Sequence, residues 1–300
     1  MKSKPRQRES KIEYVDLSSK ILGVRAEVYD TIHKRRKCYG FRDWEIVKPS
    51  HPLDYSEITE RLFGVKSQYM ASVDVVGCVS RCFYCWVNWE NQREFDAKFY
   101  STREIVNELS KLKGDIWRFT GGEPLIVPEL VLEVATEINL RGLDKVFWLE
   151  TNLLPLIVYK NFPEQLSSYE RVAVHCTIKA ADPESFEQVT GLKGEYYRQS
   201  LEALKALIDN GVQVFPSFVA NAVRPDKISL LFHDLREIHL DLPLRLMVRP
   251  ILFYGPTSAR IGVLKARVYS FKTCLEIWDA LISETYGIKY SSIKRWKIKL

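Results

Sequence analysis

The chain has 300 residues, 46% hydrophobic and 27% charged. That globular balance allows one large domain or two ordinary ones and needs no disulfide or structural metal merely to build a core. No apolar run approaches the roughly 18–20 residues of a membrane span, and the start MKSKPRQRESK has no apolar stretch behind its basic residues, so the reading is a soluble, cytoplasmic protein with no membrane partner. The net charge of +6 is concentrated at the ends: residues 1–37 hold 11 Lys/Arg against 5 Asp/Glu, and residues 286–300 hold 5 Lys/Arg and no acid. Such ends suit either an RNA, lipid or acidic-protein contact or a pair of solvated tails.

Residues 1–67 read as an N-terminal extension, with a helical pattern over 17–33, the basic run Lys34-Arg35-Arg36-Lys37, and a stretch containing Pro49 and Pro52. From Ser67 the rhythm changes. β-Rich apolar runs at 69–76, 115–119, 145–151, 171–179, 212–220 and 244–251 alternate with helical patterns at 102–112, 128–140, 153–159, 196–210 and 225–237. Ser101 ahead of Glu104, and Asp182-Pro183, are helix-start signals, and Asn210-Gly211 is a helix stop. Six strand–helix units predict an α/β fold with a parallel sheet, which right-handed crossovers curl into an open or partial barrel over residues 68–262. Functional groups then belong at the C-terminal ends of the strands. Residues 263–300 give one helix at 269–285 and a basic tail.

Cys78, Cys82 and Cys85 fall within eight residues directly after the first of these strands, whereas Cys38, Cys176 and Cys274 are isolated. Three thiolates so close converge on one centre only if the backbone wraps around it. Thiolates select zinc or iron–sulfur clusters. A cubane held by three cysteines leaves one iron open for a small molecule, whereas zinc needs a fourth ligand, such as Cys176 or a histidine.

The segment Cys78-Val79-Ser80-Arg81-Cys82-Phe83-Tyr84-Cys85 resembles the C-x3-C-x-aromatic-C loop of the radical SAM superfamily. The resemblance implies a partial (β/α)6 barrel, a [4Fe-4S] cluster on these three cysteines, and S-adenosylmethionine (SAM) chelated at the open iron. Thr120-Gly121-Gly122-Glu123-Pro124 resembles the family's GGEP motif, where two glycines let backbone approach a ligand, here the methionine ammonium. Glu150-Thr151-Asn152 resembles the D-T-N-G segment of glycyl-radical activating enzymes of the pyruvate formate-lyase activating type, which contacts the methionine and ribose of SAM. The acid here is Glu, and Leu153 replaces the glycine. Thr177-Ile178-Lys179, with Asp182, Glu184 and Thr190-Gly191, resembles the D-L-K-x-x-D-x-E…TG segment of the same subgroup. That match gives Lys179 the methionine carboxylate, while Thr177 stands where the subgroup has aspartate.

Together these matches imply an oxidoreductase-type radical SAM enzyme. A flavodoxin- or ferredoxin-type donor would supply an electron, and a 5′-deoxyadenosyl radical would abstract hydrogen from a substrate. The subgroup resemblance points to a partner protein that receives a glycyl radical. The Cys82-Phe83-Tyr84-Cys85-Trp86 run also resembles the C-x-F-C-W of the radical enzyme that builds the wybutosine base, so tRNA is the alternative partner. A non-catalytic metal-binding module is the reading from a different class.

Strand alternation groups His175, Thr177 and Lys179 on one face and Val172, Val174, Cys176 and Ile178 on the other. It likewise groups Arg118 with Thr120, Trp148 with Glu150, Ser217 with Asn221, and Arg245 with Arg249. The expected barrel interior is therefore rich in cations: Arg118, His175, Lys179 and Arg249. One serves SAM. The surplus, with Arg249 as the candidate catalytic residue beside Lys179, fits a substrate carrying carboxylate or phosphate. The competing reading pairs Arg118 and Arg249 with Glu150 or another acid. Trp86 and Trp89 are candidates to shield the cluster or flank adenine, or simply to pack.

Overall fold

The computed structural model describes residues 16–46, 55–88 and 97–300. The readings placed on residues 1–11, on Pro49 and Pro52, and on Trp89 lie outside them.

Asp16 caps the first helix, its carboxylate accepting from the Ser19 amide at 3.1 Å, and α1 runs Leu17–Val28. The two-residue strand β1 (Tyr29–Asp30) turns into β2 (Arg35–Glu45), and α2 spans Tyr55–Phe63. The extension is therefore not an appendage. β2 pairs antiparallel with β3 (Tyr69–Val75), extending the sheet, and the short strand β4 (Lys98–Ser101) pairs antiparallel with the first half of β2. The basic run lies partly inside β2, where Arg36 is 1% exposed and donates to the carbonyls of Val28 and Glu123.

The expected capping box of Ser101 and Glu104 opens α3 (Thr102–Ser110). Then follow β5 (Ile116–Gly121), α4 (Pro128–Leu140), β6 (Val146–Thr151), α5 (Phe162–Ser167), β7 (Val172–Ile178), α6 (Pro183–Thr190) and α7 (Tyr196–Asp209). The chain continues through β8 (Gln213–Val214), β9 (Ser217–Val219), α8 (Ile228–Ile238), α9 (Leu242–Arg245), β10 (Met247–Arg249), α10 (Gly255–Leu264) and α11 (Phe271–Tyr286). The sheet order is β1-β2-β3-β5-β6-β7-β9-β10, and the pairs from β3 to β10 along this path are all parallel. This is the expected α/β partial barrel of six parallel strands.

Side-chain alternation gives the sheet two faces. The outer face, including Val73, Phe119, Leu149, Val174, Cys176 and Ile178, packs under the helices. The inner face is layered. Its floor, at the N-terminal ends of the strands, is apolar: Met70, Ile116, Val146, Trp148, Ala173, Phe215 and Met247 pack with Tyr55 and Ile58 of α2. Trp148 meets Tyr55 edge-on at 5.1 Å and stacks on Phe215 at 5.4 Å, contacts worth roughly 0.5–1.5 kcal/mol each beyond burial. α2 is thus the plug of the barrel.

The basic C-terminal segment is not a solvated tail. Tyr290 Oη accepts from the Val248 amide at 2.8 Å and donates to the Leu246 carbonyl at 3.0 Å, and Lys294 pairs with Glu57 of α2 at 3.2 Å. Strand alternation places Arg245 beside Arg249 in the last strand. Arg245 sits instead in α9, at the floor, donating to the Ile298 carbonyl and to Gln213. Pro243 lies in the first turn of that helix, so the strand starts later than its apolar run suggests. Among the described residues, no helix is long and apolar enough to cross a membrane.

Candidate active site

Above the apolar floor the inner face turns polar, and the functional candidates gather where the strands end. Gly77 leaves β3 at φ 92°, and a Cβ there would come 2.8 Å from Val24 of α1. The cysteine loop starts at this bend. Its backbone is tied to the end of α6 by the Arg81 amide on Thr190 O at 2.9 Å and the Phe83 amide on Val189 O at 3.2 Å. Cys82 is buried; Cys78 and Cys85 are half-buried. Ser80 Oγ lies 2.9 Å from Cys82 Sγ, and Asn152 Nδ2 donates to Cys78 Sγ at 3.4 Å.

Burial pushes the Cys78 and Cys85 thiols up, and neighbouring cysteines add to it, Cys82 and Cys85 for Cys78 and Cys82 for Cys85: ionising one opposes ionising the next. Iron cations remove that cost, so this donor set fits a cluster. Among the described residues no three His, Cys, Asp or Glu side chains are placed to hold a single ion; a cubane binds each thiolate at a separate iron. Cys38, Cys176 and Cys274 are each buried alone in the outer core.

The two glycines of GGEP dock backbone on backbone. A Cβ on Gly122 would stand 2.4 Å from Gly77 O, and Gly121 has φ 91° with Val75 O at 2.9 Å from its would-be Cβ. The Gly122 amide donates to Val75 O and the Glu123 amide to Gly77 O, both at 2.7 Å, stitching this turn to the root of the cysteine loop. The Glu123 side chain is 1% exposed. Its carboxylate accepts from the Leu125 amide (3.0 Å), Thr151 Oγ1 (2.9 Å) and the Asn152 amide (2.7 Å). Burial raises its pKa to about 7, against the pull of those donors. Glu123 therefore fixes the position of Asn152, which in turn faces Cys78. Leu153, which follows Asn152, is fully buried at φ 71°, a left-handed conformation that costs a non-glycine residue.

Glu150 spends both carboxylate oxygens inside the barrel, on Arg118 (2.9 Å), Thr120 (2.5 Å) and His175 Nδ1 (3.1 Å). His175 Nε2 continues to Ser217 Oγ at 2.9 Å, which reaches Thr177 at 3.5 Å. Burial opposes the Glu150 charge, but Arg118 and His175 hold the carboxyl well below its ordinary range. Burial also lowers the His175 pKa, keeping the ring neutral near pH 7. Of the four expected interior cations, Arg118 is thus neutralised and His175 carries no charge there.

Lys179 and Arg249 remain. Neither has an acidic or hydrogen-bonding partner among the described residues. Lys179 Nζ lies 5.9 Å from the Tyr84 ring. Burial works against its charge, but Tyr84 and the three thiols outweigh it and raise its pKa. Arg249 ends β10 and, like Lys179, acts on Tyr84 electrostatically. The Tyr84 hydroxyl is buried without a hydrogen-bond partner. An orphaned hydroxyl beside the cysteine loop, with two cations that lack acidic partners acting on it, fits an anionic group. Trp86 is 37% exposed and stacks with Arg42 at 5.6 Å, on the rim.

Sequence reasoning missed one part of the site. Helix α10 reaches the cysteine loop from outside the barrel through Thr257 and Arg260, which bond its carbonyls. Nothing in the spacing of those two residues signals it.

The family model described as the radical SAM superfamily matches residues 73–223, spanning the cysteine loop, GGEP, Glu150–Asn152 and Lys179. The chain belongs to the radical SAM superfamily. Radical SAM enzymes use a [4Fe-4S] cluster and SAM. No curated protein matches the chain. Among solved structures, SuiB of Streptococcus suis bound to S-adenosylmethionine shares 15% identity at a TM-score of 0.51, over 70% of this chain and 46% of that one. SuiB bound to its precursor peptide SuiA gives 17%, 0.50, 69% and 43%. A spore photoproduct lyase variant with bound AdoMet and dinucleoside spore photoproduct gives 13%, 0.50, 73% and 74%. The chain spans less than half the length of the SuiB chains, and likeness at these identities shows the shared fold.

Proposed function

We propose that Cys78, Cys82 and Cys85 hold the [4Fe-4S] cluster of this radical SAM enzyme, that Lys179 takes the SAM carboxylate, and that Arg249 binds an anionic substrate at the mouth of the barrel. When bound, the cluster and SAM supply one-electron reductive cleavage and a 5′-deoxyadenosyl radical that removes a hydrogen atom from substrate; a flavodoxin- or ferredoxin-type donor supplies the electron. The chain's own residues do the rest. The Gly121-Gly122 turn brings backbone to the ammonium end of SAM. Glu123 and Thr151 fix Asn152 beside Cys78. The apolar floor of Trp148, Phe215 and Tyr55 closes the barrel below and keeps bulk water out.

The observation that carries this reading is the pair of unpartnered cations acting on the Tyr84 hydroxyl, in an interior where Arg118 is matched to Glu150 and Arg42 to Asp74. Two free cations exceed what one SAM carboxylate needs. The basic C-terminal residues lie at the floor, opposite this mouth, which favours a carboxylate- or phosphate-bearing substrate over RNA delivered by that segment. Thr177, in the place of the aspartate of activating enzymes, weakens the glycyl-radical reading: its hydroxyl bonds Ser217 and brings no charge.

The test needs no substrate. Equilibrium SAM binding is measured on anaerobically reconstituted protein. A charge-assisted hydrogen bond is worth about 1.5–3 kcal/mol, so Lys179→Met should weaken SAM binding about 10- to 100-fold while Arg249→Met leaves it within twofold. Equal weakening by both would assign both cations to SAM and leave none for the substrate.

A further inference from the structure

Helix α10 is anchored by an unusual pair. Its only two buried side chains are Thr257 and Arg260, while Val263 and Leu264 are 80% and 55% exposed. No leucine or valine of this helix is buried in the core. Both buried side chains end on the backbone of the cysteine loop. Thr257 Oγ1 donates to the carbonyls of Cys85 at 3.0 Å and Tyr84 at 3.4 Å. Arg260 Nη1 donates to the Cys85 carbonyl at 2.7 Å and reaches those of Cys82 and Phe83 at 3.4 Å. Its Nη2 donates to the Val87 carbonyl at 2.6 Å.

The loop has no sheet ladder and no regular helix over this stretch, so its carbonyls depend on such outside donors. A guanidinium suits the task. It offers a planar fan of donors to several acceptors at once and keeps its charge when buried, whereas an ammonium is a compact point with three donors. Here the whole residue is 4% exposed.

We infer that Arg260 is a positioning residue for the iron–sulfur cluster: from α10, it fixes the backbone that carries Cys82 and Cys85 and sets a buried positive charge against that backbone. The inference rests on the reading that Cys78, Cys82 and Cys85 hold that cluster. Two consequences follow. Cluster retention depends on the fan of hydrogen bonds, because groups that orient metal ligands typically matter about 10- to 100-fold in metal affinity. The reduction potential depends on the charge, because a fixed cation favours the more negative, reduced cluster.

The experiment compares reconstituted wild-type protein with Arg260→Gln, Arg260→Lys and Thr257→Val, under anaerobic conditions and without turnover. It reads iron per chain, the rate of iron release to a chelator, the electron paramagnetic resonance of the reduced cluster, and its midpoint potential. Arg260→Gln should release iron about 10- to 100-fold faster, and the cluster it retains should have a more negative potential. Arg260→Lys should release iron faster than wild type yet return the potential toward the wild-type value. Thr257→Val should speed release with no change in potential, and it decides the matter if Arg260→Gln does not fold. Wild-type release and potential in Arg260→Gln, or wild-type release in Thr257→Val where the glutamine variant is unfolded, would overturn the inference. A wild-type chain that takes up no cluster would instead overturn the cysteine reading beneath it.

Discussion

Replacing Glu123 by glutamine separates the cost of its charge from the value of its bonds. The carboxylate is buried, and its pKa is raised from 4.5 to about 7. A raised acid pKa means the folded state holds a proton that the unfolded chain has released, so stability falls as pH rises between 4.5 and about 7. At 1.36 kcal/mol per pKa unit, the loss between pH 5 and pH 8 is about 2–3 kcal/mol. The amide cannot ionise and resembles the protonated acid, so the variant should lack this loss. It keeps one acceptor oxygen, enough for the Leu125 amide and Thr151, and turns a donor toward the Asn152 amide. The bond lost there costs about 1–3 kcal/mol, as protonation costs the wild type at low pH. The assay is urea unfolding of the apoprotein, wild type against Glu123→Gln, at pH 5 and pH 8 under reducing anaerobic conditions. The two should be closely matched at pH 5, and the variant should gain about 2–3 kcal/mol relative to wild type at pH 8. A difference independent of pH would refute the argument, because it would mean that Glu123 enters the folded state already ionised at no cost.

Removing Arg118 as Arg118→Met leaves Glu150 charged and buried, which should cost about 3–5 kcal/mol at pH 8; the cost should ease toward pH 5 as the freed carboxyl takes up a proton, and a pH-independent cost in unfolding experiments would contradict this. In the wild type, the lowered pKa values of Glu150 and His175 mean that the unfolded state binds more protons. Their joint contribution should therefore be lost on acidification, starting below about pH 6.5 for the histidine and continuing below about pH 4.5 for the carboxylate, as thermal unfolding across that range would show. Leu153→Gly relieves left-handed strain of about 1–2 kcal/mol but deletes a buried side chain whose loss costs about 2–5 kcal/mol, so the substitution should lower the melting temperature of this chain. Tyr290→Phe loses the bonds to Val248 and Leu246, so it should destabilise by about 1–3 kcal/mol while iron content and SAM binding stay at wild-type levels. A loss of cluster there would mean that the floor and mouth of the barrel are not independent.

The parallel strands were legible because β-rich alternation is a strong local signal. The reading over 171–179 became Val172–Ile178, with the polar parity inside and Cys176 outside. The cysteine loop, GGEP and Lys179 came together at the strand ends, as their order required. What escaped was set by tertiary contacts. Strand β2 mixes Arg35, Lys37, Arg42 and Asp43 with apolar residues, and its pairing with β3 and β4, not its hydrophobicity, makes it a strand. The C-terminal cations read as a tail because charge alone does not show that Tyr290 and Trp296 anchor the segment to the floor. Glu150 matched a SAM-contact motif, yet its carboxylate is held by Arg118, Thr120 and His175, partners on two other strands. Arg260 binds carbonyls, and backbone acceptors leave no mark in a sequence.

The most direct test of the central claim is anaerobic reconstitution with iron and sulfide, followed by reduction, addition of SAM and assay for 5′-deoxyadenosine. The account predicts about four irons per chain and a product that disappears in Cys82→Ala. Tight zinc binding without SAM cleavage would contradict it and leave a metal-binding module on a radical SAM fold.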